Sequence, residues 1–255
     1  MSRILKTAAN AVEANKAHYD ATAVDYEAIP DVMAMGKHVG DAFKRIVRPN
    51  PQKTTVMEYA CGTGIVSREI APTAKSILGI DISQGMVDQY NKRRTDKMRA
   101  ICAQHGIPLA QQIAGTQLAD VRFDGIVCSM AYHHFADPAS VTSTLAGLLA
   151  HGGKLVVVDR NAFEGDGMTK TGQAHATAQA QTSPAPSGGG RPHPHGGAPE
   201  AAPDNAVPHQ NGFSEEQMRE MFTKGGLVDV GFEKFKAMIF GNEVEMFAAH
   251  GTKPE

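Results

Sequence analysis

The sequence predicts an α/β fold: a seven-stranded, mostly parallel sheet with helices on both faces, an antiparallel last strand and an N-terminal helical cap. Three observations carry this. Strand-like and helix-like segments alternate between residues 54 and 160, the pattern of a parallel sheet built from crossovers. The strand centres ILGI (77–80), GIVC (125–128) and LVVV (155–158) are apolar without alternation, as strands covered on both faces require. Two strand-like stretches joined by a Gly–Asn pair lie near the end of the chain, which adds a hairpin at one edge.

The elements follow in order. Residues 2–28 read as helical, with Leu5, Ala8, Ala9, Val12 and Ala17 recurring on one side and Tyr19, Val24 and Tyr26 continuing the segment up to Pro30. Residues 31–47 form a second helix before the turn-rich RPNPQK, so 1–50 make the cap. A strand over 54–60 leads to a helix starting at 65–71, and SILGID (76–81) is the second strand. Ser83 is the expected N-cap of a helix over 83–95. MRAICA (98–103) and FDGIVCSM (123–130) are the third and fourth strands. Pro138 sits in the first turn of a helix over 138–150. HGG (151–153) ends that helix, and KLVVVDR (154–160) is the fifth strand, closing a core over 51–160.

Residues 161–212 read as an insertion. Within it, 171–208 is rich in Ala, Gln, Ser, Pro, Gly and His, too poor in apolar surface to offset its ordering entropy, and is expected to be flexible. His175, His193, His195 and His209 stand at irregular spacing without a cysteine or carboxylate framework; they read as solvated side chains, and no metal site is expected. Residues 213–255 complete the sheet. Ser214 and Gln217 have capping-box spacing, Gly225 and Gly226 end that helix, and strands over 230–240 and 242–252 turn at Gly241–Asn242.

Composition narrows the function. A chain of 255 residues with 42% hydrophobic content suits one α/β domain, or one domain with an appendage. A formal net charge of −2 offers no basic field for nucleic acid. Cys61, Cys102 and Cys128 lie far apart in apolar runs, the mark of reduced thiols in an intracellular protein. The N-terminal stretch has no apolar signal-like core and no run approaches a membrane span. The expectation is a soluble, cytoplasmic protein (nuclear presence left open), with no membrane or nucleic-acid partner.

The chemistry concentrates in TTVMEYACGTGIVS, residues 54–67. Glycines at 62 and 64 stand at the carboxyl end of the first strand, where open α/β sheets bind ligands. A dinucleotide fingerprint wants a third glycine where this chain has Ser67. Glu58, four residues before Gly62, would repel a pyrophosphate and attract an ammonium or a sulfonium.

These residues resemble a known family. VMEYACGTG looks like motif I of the class I S-adenosylmethionine-dependent methyltransferases. Asp81 matches the acidic residue that closes their second strand, and ISQGMVDQYN its usual continuation. FDGIVCSMAYHHFADP and LLAHGGKLVVVD resemble the fourth- and fifth-strand motifs, and AHYDATAVDYE resembles the N-terminal cap of ubiquinone-biosynthesis-type members. The likeness covers about residues 19–160, and 213–250 fit the expected end of a Rossmann-like fold.

The resemblance implies S-adenosyl-L-methionine as cofactor and a set of contacts. Ala60, Cys61, Gly62 and Gly64 are expected against its methionine portion, with Glu58 holding that loop or accepting from the cofactor amine. Asp81 has two oxygens suited to a ribose diol, or to the N-terminus of the following helix. Ile82 and Met86 are expected to flank the adenine. Gln104 stands after the third strand, where many relatives have an aspartate. Ser129 lines the site from the fourth strand. Tyr19 and Tyr26 are candidate lid residues over the sulfonium. Methyl transfer needs alignment and exclusion of water, with a base for a protic acceptor; His133 and His134 are the candidates, pocket lining being the competing role. SMAY stands where DNA-base and glutamine methyltransferases have their Pro-Pro signature. The implied function is methyl transfer to a small molecule; a protein methyltransferase and an inactive cofactor-binding protein are the alternatives.

Overall fold

The computed structural model describes residues 2–104, 107, 109–113, 121–162 and 207–255, with the backbone alone for 2–10, 110 and 113. The expected flexible stretch therefore lies almost wholly outside the described residues, as do His175, His193 and His195.

Seven strands form one sheet: β1 (Thr55–Tyr59), β2 (Ser76–Asp81), β3 (Met98–Cys102), β4 (Phe123–Ser129), β5 (Leu149–Arg160), β6 (Val228–Ile239) and β7 (Asn242–Thr252). Their spatial order is β3-β2-β1-β4-β5-β7-β6. β1 to β5 pair in parallel, and β7 inserts antiparallel between β5 and β6. The order reverses between β1 and β4, so a crevice opens at their carboxyl ends.

Strand alternation divides the interior into two cores. Val56, Ile77, Val127, Val156 and Val158 face one side, packed with α2 (Val32–Val47), α3 (Ile65–Ile70) and α4 (Gln84–Arg93). Met57, Leu78, Ile126, Leu155 and Val157 face the other, against α6 (Pro138–Leu148) and α7 (Glu215–Lys224). Helix α1 (Ser2–Thr22) and a 3-10 turn at Tyr26–Ala28 belong to the cap. A short helix, α5 (Leu109–Ile113), follows β3.

Several boundaries differ from expectation, each for a local reason. α1 stops at Thr22 instead of running to residue 28; the Thr22 hydroxyl takes the carbonyl of His18, and the chain turns at 23–25. β5 begins at Leu149, so the HGG stretch is the bulged start of a strand: the pairing shifts register between Phe123 and Gly125. The hairpin turns one residue earlier than expected. Ile239 pairs with Asn242, leaving Phe240 and Gly241 with φ of 50° and 74°, the left-handed pair that a two-residue hairpin demands. The capping predictions hold: the Ser83 hydroxyl accepts from the Met86 N–H, and Ser214 and Gln217 form a complete capping box. Cys61 and Cys128 are buried and Cys102 half-buried, all as free thiols. No helix among the described residues is long and apolar enough to cross a membrane.

The two motif glycines serve different needs. Gly62 has φ +50° with nothing within 4 Å of where a Cβ would stand. Gly64 has φ +84°, and a Cβ there would lie 2.5 Å from Cδ2 of the buried Tyr90 ring. Gly64→Ala is therefore expected to cost about 2–4 kcal/mol, backbone strain plus overpacking. Gly62→Ala should cost only about 1–2 kcal/mol, from strain alone. Urea denaturation of both variants checks this; equal losses would contradict the packing role of Gly64.

Candidate functional site

The site grows from the end of β1. The chain leaves the strand through Ala60, a non-glycine residue with φ 57°. The Gly64 N–H closes a turn onto the Cys61 carbonyl at 2.9 Å, and α3 starts at Ile65. Met130, at the end of the neighbouring β4, is also left-handed, with φ 52°. Left-handed backbone costs a side-chain-bearing residue free energy, and the two positions flank one crevice.

Asp81, at the end of β2, holds this loop in place. One carboxylate oxygen accepts from the Gly62 N–H at 2.8 Å, and the other from the Ser83 N–H at 2.9 Å. Burial raises the Asp81 carboxyl, against the lowering effect of those N–H groups. Asp81 thus serves the loop and the entry to α4 at once. Each oxygen retains a further acceptor direction for a hydroxyl.

Glu58 is buried at 3% exposure and directed away from solvent onto the start of α3. It accepts a short hydrogen bond from the Ser67 hydroxyl, which in turn accepts from the Tyr90 hydroxyl at 2.8 Å. Ser67, the residue that spoils a dinucleotide fingerprint, is the link that binds Glu58 to the ring against Gly64. Burial pushes the Glu58 carboxyl up to about 8, only partly opposed by Ser67.

The cap closes the crevice from outside. Asp20 of α1 accepts from the Ser83 hydroxyl at 2.7 Å and from the Gly85 N–H at 3.0 Å, so one helix supplies the N-terminal acceptor of another. Its neighbour Tyr19 places its hydroxyl 3.1 Å from Nε2 of His134, with the rings edge to face. Glu27 pairs with Arg68 at 2.8 Å and fastens the 3-10 turn that carries Tyr26. Burial pushes the Tyr26 phenol up to about 12 and raises that of Tyr19 further.

These elements enclose a cavity of about 460 Å³, within the range of small-molecule sites. Tyr19, Tyr26, Glu58, Ala60, Cys61, Gly62, Asp81, Ile82, Met86, Gln104, Ser129 and His134 all line it. Gly64 does not; it is turned against Tyr90. His133 does not either. Its ring is buried, with Nδ1–H donating to Asp159 at 2.7 Å, and it packs 4.2 Å from the His134 ring. The two adjacent histidines are thus divided: one faces the cavity and the other anchors the turn to β5.

Sequence reasoning missed several contributors. α2 adds Val32, Met35 and Val39 to the wall, a role its amphipathic pattern carries no sign of. Gln112 of the unpredicted α5 also lines the cavity, and its amide is bonded both ways to the Gln104 backbone, 2.6 Å and 2.9 Å. Asp159 could have been singled out as a carboxylate ending an all-apolar strand.

The lining offers carboxylates at Glu58 and Asp81 but, among the described residues, no lysine or arginine. That set of acceptors fits an adenosyl sulfonium with its amine and diol, and opposes a diphosphate. With Glu58 held protonated by burial, its folded pKa lies above the unfolded value of 4.5. The stability it contributes is full below about pH 4.5 and is lost as pH rises through about 8. Glu58→Gln should therefore flatten the fall in melting temperature across that window, as thermal denaturation at a series of pH values would record. An unchanged slope would remove Glu58 as its source.

Comparison with known proteins agrees with this geometry. Residues 33–230 match the model of a methyltransferase domain family. An uncharacterised methyltransferase of Schizosaccharomyces pombe is 40% identical over 134 residues, 48% of this chain and 46% of that protein. A ubiquinone biosynthesis O-methyltransferase of Methylococcus capsulatus is 30% identical over 101 residues, 38% of this chain and 39% of that one. The chain thus spans less than half the length of these curated relatives. Among solved structures, an S-adenosylmethionine-dependent methyltransferase from Anabaena variabilis superposes with a TM-score of 0.60 at 14% identity, covering 95% and 94% of the two chains. The N-methyltransferase NodS of Bradyrhizobium japonicum, bound to S-adenosyl-L-homocysteine, gives 0.55 at 14% identity, covering 89% of each. At such identities the likeness shows the fold.

Proposed function

Because the chain belongs to that methyltransferase domain family, we propose that it transfers a methyl group from S-adenosylmethionine to a small-molecule acceptor inside the capped cavity. The observation that carries this is the enclosure itself. A space of about 460 Å³, roofed by α1 and the Tyr26 turn, suits a cofactor and a compact acceptor better than a polypeptide segment. The relatives named for O-methylation in ubiquinone biosynthesis support the same class of acceptor. Free, separated thiols support a reducing compartment such as the cytoplasm.

The roles divide along the cavity. Bound S-adenosylmethionine supplies an activated methyl group on a positively charged sulfur. Asp81 orients its diol end. Gly62, having no side chain, admits close approach of the backbone. The Asp81 carboxylate favours a cation nearby, and the carboxyl of Glu58, held neutral by burial, supports the loop through Ser67. Tyr19, Tyr26 and the α2 wall exclude water. His134, at the cavity wall with Nε2 beside the Tyr19 hydroxyl, receives the acceptor's proton. His133, fixed by Asp159, holds the turn that presents His134.

Calorimetry with S-adenosylmethionine and S-adenosylhomocysteine tests the premise. Asp81→Ala should weaken both by roughly 100-fold, the loss of charge-assisted bonds, with the circular dichroism spectrum retained. His134→Ala should lower kcat by roughly 100-fold or more and leave cofactor affinity in place. His133→Ala should act on stability instead, by roughly 3 kcal/mol, through the unpaired buried carboxylate it leaves. Full turnover in His134→Ala would reduce that residue to lining, and methyl label found in a protein fraction would overturn the small-molecule acceptor.

A further inference from the structure

Arg68 stands in α3, one turn past the glycine loop, and its guanidinium makes two bonds that leave the helix. Nη1 donates to the Thr63 carbonyl at 3.0 Å, and Nη2 to Oε1 of Glu27 at 2.8 Å. The first partner lies between the two motif glycines, and the second lies in the 3-10 turn, next to Tyr26. Arg93 of α4 approaches the same Glu27 oxygen at 3.7 Å. The side chains of Arg68 and Glu27 are 24% and 20% exposed, so water screens this pair less than it screens an ordinary surface salt bridge.

An ion pair that served a helix alone would join residues three or four apart, as Lys37 and Asp41 do on α2. This one spans 41 residues of the chain and joins two walls of the cavity, since Thr63 and Tyr26 both line it. Asp81 fixes the loop from the other side, through the Gly62 N–H at 2.8 Å. A guanidinium presents its N–H donors in fixed directions and can hold two acceptors in one geometry, which a single ammonium on a flexible stem cannot. The Tyr26 ring in turn meets the Tyr19 ring edge to face, with centroids 6.3 Å apart. The roof therefore has two anchors: Tyr19 is set by His134, and Tyr26 by the Glu27–Arg68 pair.

We infer that Arg68 is a positioning residue for the cofactor: it ties the Tyr26 turn to the glycine loop, so that the aromatic ring covering S-adenosylmethionine is held in register with the backbone on which the cofactor lies. Arg68 stands behind the cavity wall and acts through Tyr26. This rests on the methyltransferase function proposed above and adds to it a residue outside the cavity on which cofactor affinity depends.

The test is a double-mutant cycle. Calorimetry with S-adenosylhomocysteine is run on the native protein, Arg68→Met, Tyr26→Ala and the double variant, at a temperature where circular dichroism shows each to be folded. Arg68→Met should raise Kd roughly 10-fold, the value of a charge-assisted bond. In the Tyr26→Ala background the same change should alter Kd by less than about threefold, because the ring that Arg68 positions is gone. A role in the stability of α3 alone would give the same factor in both backgrounds. Glu27→Gln should reproduce the Arg68→Met effect, and Arg68→Lys should fall between Arg68→Met and the native protein; these two variants complete the same cycle if Arg68→Met does not fold. A Kd indifferent to Arg68 and Glu27, a Kd indifferent to Tyr26→Ala, or an equal factor in both backgrounds overturns the positioning role and leaves methyl transfer standing. Failure of the native protein to bind either S-adenosylmethionine or S-adenosylhomocysteine overturns the methyltransferase premise, and the inference with it.

Discussion

The structure depends on one carboxylate used at both oxygens. Asp81 takes the N–H of Gly62 on one side and that of Ser83 on the other. These bonds join the β1 loop to the start of α4 across the end of β2. A half-buried carboxylate needs such donors, since loss of water alone drives it toward the neutral form. Two backbone N–H groups therefore settle where the loop stands, and the loop settles where a ligand can lie. The shape of this end of the cavity is a by-product of satisfying Asp81.

A second chain of bonds supports the first from below. Glu58, Ser67 and Tyr90 link β1, α3 and α4, and the Tyr90 ring occupies the volume that Gly64 and Gly79 leave free. A Cβ on Gly79 would lie 2.8 Å from that ring and from the Cys61 sulfur. The glycine-rich loop thus has two sides, one open to the cavity at Gly62 and one closed by an aromatic side chain at Gly64.

Much of this was legible in the sequence, and the limits are physical. Strand centres such as LVVV announce themselves because burial on both faces leaves no polar position, and Ser83 and Ser214 announce helix starts because a hydroxyl there has one job. The cavity residues on β1, β2 and β4 follow from their place at strand ends. What stayed hidden is what depends on distant contacts. Nothing local distinguishes His133 from His134; one turn of a 3-10 helix sends one ring to Asp159 and the other to Tyr19. Nothing near Asp20 shows that it will cap a helix 63 residues away. The α2 wall was unreadable for the opposite reason, since residues such as Met35 and Val39 face both a core and a cavity.

Tyr19 and Asp20 are consecutive on α1, yet one meets His134 at the cavity wall and the other accepts from Ser83 and Gly85 at the start of α4. Swinging α1 outward would therefore take the Asp20 acceptor away from the first turn of α4, at about 1 kcal/mol, while Ser83 keeps its own bond to Met86. Door and floor share one hinge pin. Opening of the cavity wall and loosening of the first turn of α4 become a single event, and reclosure restores both together.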